Sequence, residues 1–210
     1  MKFNAAIKYF LAILIALAPL TLSGQMRFGR IFGVNISEMT FSINGLSMEP
    51  SSMTGIRFGG CMDFPLKWGF TFQPGALFSS KGTSYDIDSI NYLLSPIYIE
   101  TPVNLVYSFG SEEFRITLYA GPYLAIGIDG MKIEGANPSR SIYFGTGEGK
   151  DMNLFDLGMN FGAGVSFRGL MLSAQYGTGL VNIAPDSRSD VEMKNNVIGI
   201  SIASFVTRRK

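Results

Sequence analysis

The chain has 210 residues, a net charge of +1, 16% charged side chains, 25 glycines, one cysteine and no histidine. The missing histidine removes Ser–His triads, His-ligated metals and the commonest general base, and a near-neutral chain without a basic stripe argues against nucleic acid as a partner. Charged residues are sparse against the roughly 25% of soluble domains, yet nothing beyond residue 25 offers the ~20 apolar residues of a spanning helix, which leaves a closed β-barrel as the way to cross a bilayer.

In chain order, Lys2 and Lys8 precede a short apolar run over 10–22 (FLAILIALAPLTL) that ends on small residues. A charged start, a short apolar middle and a small-residue end predict a signal helix cleaved around Ser23, Gly24 and Gln25. Residues 1–24 are thus expected to be a signal peptide and 25–210 an exported barrel domain.

Eight strands are then predicted, at roughly 27–36, 54–64, 69–80, 95–107, 114–128, 154–167, 170–182 and 196–206. Their connections alternate. Longer segments over 37–53, 81–94, 129–153 and 183–195 take turns with tight ones near Pro65, at Gly110–Glu113 and at Arg168-Gly169. Short turns on one rim and long loops on the other are the build of outer-membrane barrels. The expected fold is therefore all-β: an eight-stranded antiparallel up-and-down transmembrane barrel with a cleaved N-terminal signal helix. Several predicted strands exceed the 9–11 residues needed to cross at a tilt and are expected to project beyond the membrane. An even strand number puts both termini on one side, the periplasm.

Within the strands, side chains alternate with a period of two. Between 154 and 167 one face reads Phe155, Leu157, Met159, Phe161, Ala163, Val165 and Phe167; the other reads Leu154, Asp156, Gly158, Asn160, Gly162, Gly164 and Ser166. Apolar outside and polar inside is what lipid around a filled barrel demands. Outward stripes such as Ile56, Phe58 and Met62, or Leu118, Leu124 and Ile126, carry no charge. Phe64, Trp68, Phe70, Tyr107, Phe109, Phe114, Phe167 and Phe205 gather near the turns as an interfacial girdle. The competing reading of these aromatics is the core of a soluble sandwich. Arg30 interrupts the first stripe, so that it sits near a rim or faces inward, and Pro74, Pro102 and Pro122 are expected at bulges or strand ends because each removes a ladder donor.

The inward face holds Arg57, Asp63, Gln73, Glu100, Asn104, Arg115, Asp156, Asn160 and Gln175. Eight strands leave an interior that side chains fill, and buried charges must pair. Arg57 and Arg115 are expected to neutralise some of Asp63, Glu100 and Asp156 in a polar plug, with lumenal glycines making room for the long chains. Cys61 faces inward without a histidine partner and reads as a packed residue. The run 145–151 (GTGEGKD) lacks the leading glycine and the trailing Ser or Thr of a phosphate loop and is expected to be a flexible exposed loop. Asp186, Asp190 and Glu192 would at most hold a calcium ion weakly.

Residues 98–107 (YIETPVNLVY), 120–124 (AGPYL), 161–165 (FGAGV), 177–183 (GTGLVNI) and 32–35 (FGVN) resemble the PorT-like outer-membrane β-barrel family of Bacteroidetes. The resemblance implies an eight-stranded barrel in the outer membrane, and some members serve gliding motility and type IX secretion. The expected function is a non-enzymatic envelope scaffold or interaction protein with a plugged lumen. Its partners would be outer-membrane lipid and other envelope or secretion proteins; no cofactor, metal or nucleic acid is required. A narrow pore or small-molecule-binding barrel, and an outer-membrane lipid-modifying enzyme, are the alternatives.

Overall fold

The computed structural model describes residues 26–43, 46–48, 50–87, 90–111, 113–185 and 191–207. The predicted signal helix and its cleavage residues Ser23, Gly24 and Gln25 lie outside these, as do Asp186 and Asp190.

Eight long strands form the wall: β1 (Arg27–Ile43), β2 (Ser51–Pro65), β3 (Phe70–Ser80), β4 (Ile90–Gly110), β5 (Phe114–Glu134), β6 (Phe155–Phe167), β7 (Leu170–Gly179) and β8 (Val191–Thr207). Each pairs antiparallel with its sequence neighbours, and β1 closes the ring by pairing with both β8 and β2, as in Val34 opposite Ile200 and Ile56. The result is an up-and-down barrel without free edges. The predicted strands are all present, and β4 and β5 run to 21 residues each, well beyond a membrane crossing. Three short strands (Leu46–Met48, Thr83–Ile87 and Arg140–Ser141) extend the sheet at the long-loop rim.

The short connections are set by local chemistry. Arg168 and Gly169 both take positive φ, 49° and 86°, which is the two-residue turn whose twist matches the strands it joins. Trp68 and Gly69 do the same at the turn between β2 and β3.

Facing follows the alternation. Phe28, Phe32, Ile56, Phe58, Phe161, Phe167, Leu172, Ile198 and Ile202 are exposed on the outer surface, whereas Asn35, Arg57, Asp63, Glu100, Asn104, Asp156 and Asn160 are buried. That arrangement inverts a soluble protein, so the sandwich-core reading of the aromatics fails. Phe28, Trp68, Phe70, Tyr107, Phe109, Phe114 and Phe167 are exposed at the turn rim. Phe205 leaves the predicted girdle: it pairs with inward Gly29, and the Arg27 guanidinium lies 5.4 Å from its ring centre. Arg30 is exposed on the outer face, three residues from the start of β1, close enough to the rim for its long stem to carry the charge to the interface.

The prolines correct a second expectation. The one register shift lies between Ile97 and Tyr98, away from all three. Each proline instead leaves a two-residue gap in one ladder while register is kept on both sides of it. Pro74 and Gln73 face unpaired Met62 and Asp63. Pro102 and Thr101 face unpaired Gly75 and Ala76. Pro122 and Gly121 face unpaired Val103 and Asn104. A missing N–H removes hydrogen bonds locally, and in a closed ring the neighbouring strands hold the register that an open edge would lose.

Candidate functional site

The lumen has three levels. At the turn rim it is a cavity of about 740 Å³, lined by Arg27, Asp63, Gln73, Arg115, the hydroxyls of Thr71, Ser108, Thr117 and Ser166, and Phe205. Asp63 is held by Arg27 Nη2 at 2.7 Å and by Gln73 Nε2 at 2.7 Å. Above it the interior narrows to a cavity of about 30 Å³ beside Cys61 and Tyr119, then to one of about 10 Å³ between Arg57, Glu100 and Asn160. The smallest is the size of one water.

The second level is an ion cluster in which Lys81 is the common cation. Its Nζ lies 3.1 Å from Glu100 Oε2 and 3.2 Å from Asp156 Oδ2, and the Lys81 and Asp156 side chains are 2% and 0% exposed. Asp156 Oδ2 also accepts from Tyr123 Oη at 3.2 Å and from Asn195 Nδ2 at 2.9 Å. The Tyr123 and Tyr98 ring centres stand 4.4 and 5.2 Å from the ammonium, the placement of a cation over aromatic faces. A charge this deep is stable only when it is paired and hydrogen-bonded, and Lys81 has two carboxylates and two rings.

The five lumenal residues predicted from sequence are all inside, but the predicted ion pairs are not the ones formed. Arg27 pairs with Asp63, and Lys81 pairs with Glu100 and Asp156, so neither Arg57 nor Arg115 supplies these ion pairs. Arg57 is buried beside Glu100 with its Nε unpartnered. Arg115 is half-buried at the turn rim and donates from Nε to the Ser111 carbonyl oxygen at 3.3 Å. Alternation does carry the missed signal. Thr71, Gln73, Gly75, Leu77 and Ser79 face inward, and the odd series reaches Lys81 one residue past the end of β3.

Lumenal glycines make room for long polar chains, as where a Cβ on Gly199 would meet Arg57 Nη1 at 2.7 Å, and also for rings. A Cβ on Gly158 would meet the Tyr123 ring at 2.5 Å, one on Gly162 the Tyr119 ring at 2.2 Å, and one on Gly127 the Phe144 ring at 2.2 Å. Cys61 is a free, buried thiol, as expected of a packed residue.

The third level is an apolar cap at the long-loop rim. Met39, Ile142, Met152, Ile183, Ala184, Val191 and Met193 form one buried cluster, with Phe41, Leu94, Phe144 and Val181 against it. Phe144 packs edge-on against Tyr98, 6.2 Å between ring centres, so the cap rests directly on the ion cluster. The 145–151 segment is therefore not a free loop. Its tip is exposed, but its two arms are tied to each other: Gly145 N donates to Met152 O at 2.8 Å, and Asp151 N to Tyr143 O at 2.8 Å. Asn153 Nδ2 ties this loop to the last one through Ala184 O at 2.7 Å. Among the described residues no group of three Cys, Asp or Glu side chains is placed to hold a metal.

Asp151 locks the cap by an ion pair with Lys132 and by accepting from Tyr143 N at 3.0 Å. Burial pulls its carboxyl upward, but the Lys132 hydrogen bond, the Tyr143 amide and the nearby cations outweigh burial and leave it below the ordinary Asp value. A carboxyl depressed by folding adds stability above its unfolded pKa of about 3.9, and that stability is lost as pH falls through the lower folded value. Amide exchange at Gly145 and Asp151, corrected for intrinsic rate, is expected to rise between about pH 4 and pH 2 in the wild type. In Asp151→Asn it should already be raised at pH 6 and show no such step; an identical step in both would remove Asp151 from the latch.

Three solved structures resemble the fold. They are Ail, the attachment invasion locus protein of Yersinia pestis, in complex with the heparin analogue sucrose octasulfate (13% identity, 86% of this chain and 99% of that one, TM-score 0.41), Neisserial surface protein A (11%, 85% and 96%, 0.45) and the N-terminal β-barrel domain of Pseudomonas aeruginosa OprF (13%, 83% and 97%, 0.32). No curated protein matches the chain. Residues 21–184 match the family model described as outer membrane protein beta-barrel domain, and with the closed eight-strand ring, the apolar exterior and the charged interior this chain belongs to that outer-membrane barrel family.

Proposed function

We propose that the protein is a non-enzymatic, non-conducting barrel of the outer membrane that acts as an envelope scaffold or interaction protein. Its short turns and both termini lie in the periplasm and its long loops outside the cell. The observation that carries this reading is the double closure of the lumen, by the Lys81 ion cluster and by the apolar cap seated on it. A wall built to span lipid around an interior without a through-path favours contact surfaces over transport. The absence of histidine from the whole sequence supports the non-enzymatic reading. The resemblance of residues 98–107 and 120–124 to the PorT-like family of Bacteroidetes favours service to type IX secretion or gliding.

Reconstituted in a planar bilayer, the purified barrel is expected to give no unitary conductance, and steady channel steps would replace the scaffold with a pore. In cells, crosslinking is expected to trap envelope proteins on it, and deletion to impair secretion or surface movement. A deletion that leaves secretion, movement and envelope integrity unchanged would remove the accessory role.

A further inference from the structure

The 740 Å³ cavity at the turn rim is used by nothing described so far. It is within the size range of small-molecule sites, about 300–1,000 Å³, and blind, because the levels above it shrink to about 30 and 10 Å³. A channel vestibule would continue; a blind cup holds what enters it.

Its chemistry is specific. Asp63, the carboxylate in its lining, is already satisfied by Arg27 and Gln73. Arg27 keeps a buried Nε without a partner. Among the described residues no carboxylate lies within 4.0 Å of Arg115, whose side chain also lines the cup. Two guanidinium groups against one carboxylate leave the lining with one positive charge in excess, in a confined polar space. Around the arginines stand the hydroxyls of Thr71, Ser108, Thr117 and Ser166; Ser108 Oγ and Thr117 Oγ1 share one hydrogen bond at 3.1 Å and keep acceptor lone pairs for a ligand. Guanidinium forks match carboxylate and phosphate oxygens, and a ring of hydroxyls matches a ligand that itself bears several.

We propose that this cup binds a small anionic sugar, with its carboxylate or phosphate on Arg115 and Arg27 and its hydroxyls against Thr71, Ser108, Thr117 and Ser166. Entry from the periplasm rests on the orientation proposed above; the binding site does not, and a measurement on purified protein separates the two.

The test is titration calorimetry on the mature chain in detergent micelles with galacturonate, glucose 6-phosphate and uncharged glucose. At least one of the two anions is expected to bind and glucose not to, and the tighter anion identifies the class. Arg115→Gln is expected to weaken that anion about tenfold, with Arg115→Lys intermediate because it keeps the charge and loses the fork. Heat-resistant migration of the barrel on a gel confirms folding of each variant, and should Arg115→Gln not fold, Arg115→Lys carries the comparison. No binding of either anion, equal binding of glucose, or unchanged affinity in the folded variants would overturn the site.

Discussion

Lys81→Met is expected to lower the unfolding free energy of the barrel by about 3–5 kcal/mol, the range for removing one partner of a buried ion pair. Glu100 and Asp156 both lie within 3.2 Å of Nζ, and without Lys81 the two carboxylates are left to Arg57, which stands beside Glu100. Burial denies Asp156 water, so its charge then carries an uncompensated desolvation penalty. Urea unfolding in lipid vesicles, followed by the loss of heat-resistant gel mobility, reads the change. The double variant Lys81→Met, Asp156→Asn should recover most of it, since it removes one buried charge of each sign and leaves Glu100 facing Arg57. A single variant as stable as the wild type would mean that water reaches the cluster, and the closed interior would be lost with it.

Ile200→Arg is expected to cost about 2–4 kcal/mol in the same assay, the depth-dependent price of an arginine near the bilayer midplane. Ile200 is exposed on the outer face, well inside β8, between Val34 and Ala174. Val206→Arg, on the same face one residue from the end of β8, should cost only about 0–1 kcal/mol because the interface is within reach of the side chain. Equal costs at the two depths would place lipid somewhere other than around this wall. Arg30, already on the outer face three residues into β1, is the natural precedent for the shallow case.

The facing of residues such as Phe161, Asn160 and Asp156 was legible because alternation is a local property: each side chain is on the opposite face from its neighbours whatever the strand pairs with. The same locality misled at three places. Lys81 lay just past the expected end of a strand, so its inward direction was not counted. Arg27 was passed over beside the more conspicuous Arg30. The 145–151 run is exposed at 146–149 as its glycines suggest, but its neighbours Ile142 and Met152 are buried in the cap.

Local pattern was enough for the barrel class, the eight strands, the turn at Arg168-Gly169 and the facing of residues in mid-strand. Those features depend on residues next to one another along the chain. Tertiary structure alone decided that Lys81 meets Asp156 across the interior, 75 residues away, and that Phe144 seats over Gly127. It also decided that three prolines open gaps without shifting register. Such pairings are set by how the strands stagger and close around a common axis, and a period of two contains no information about that.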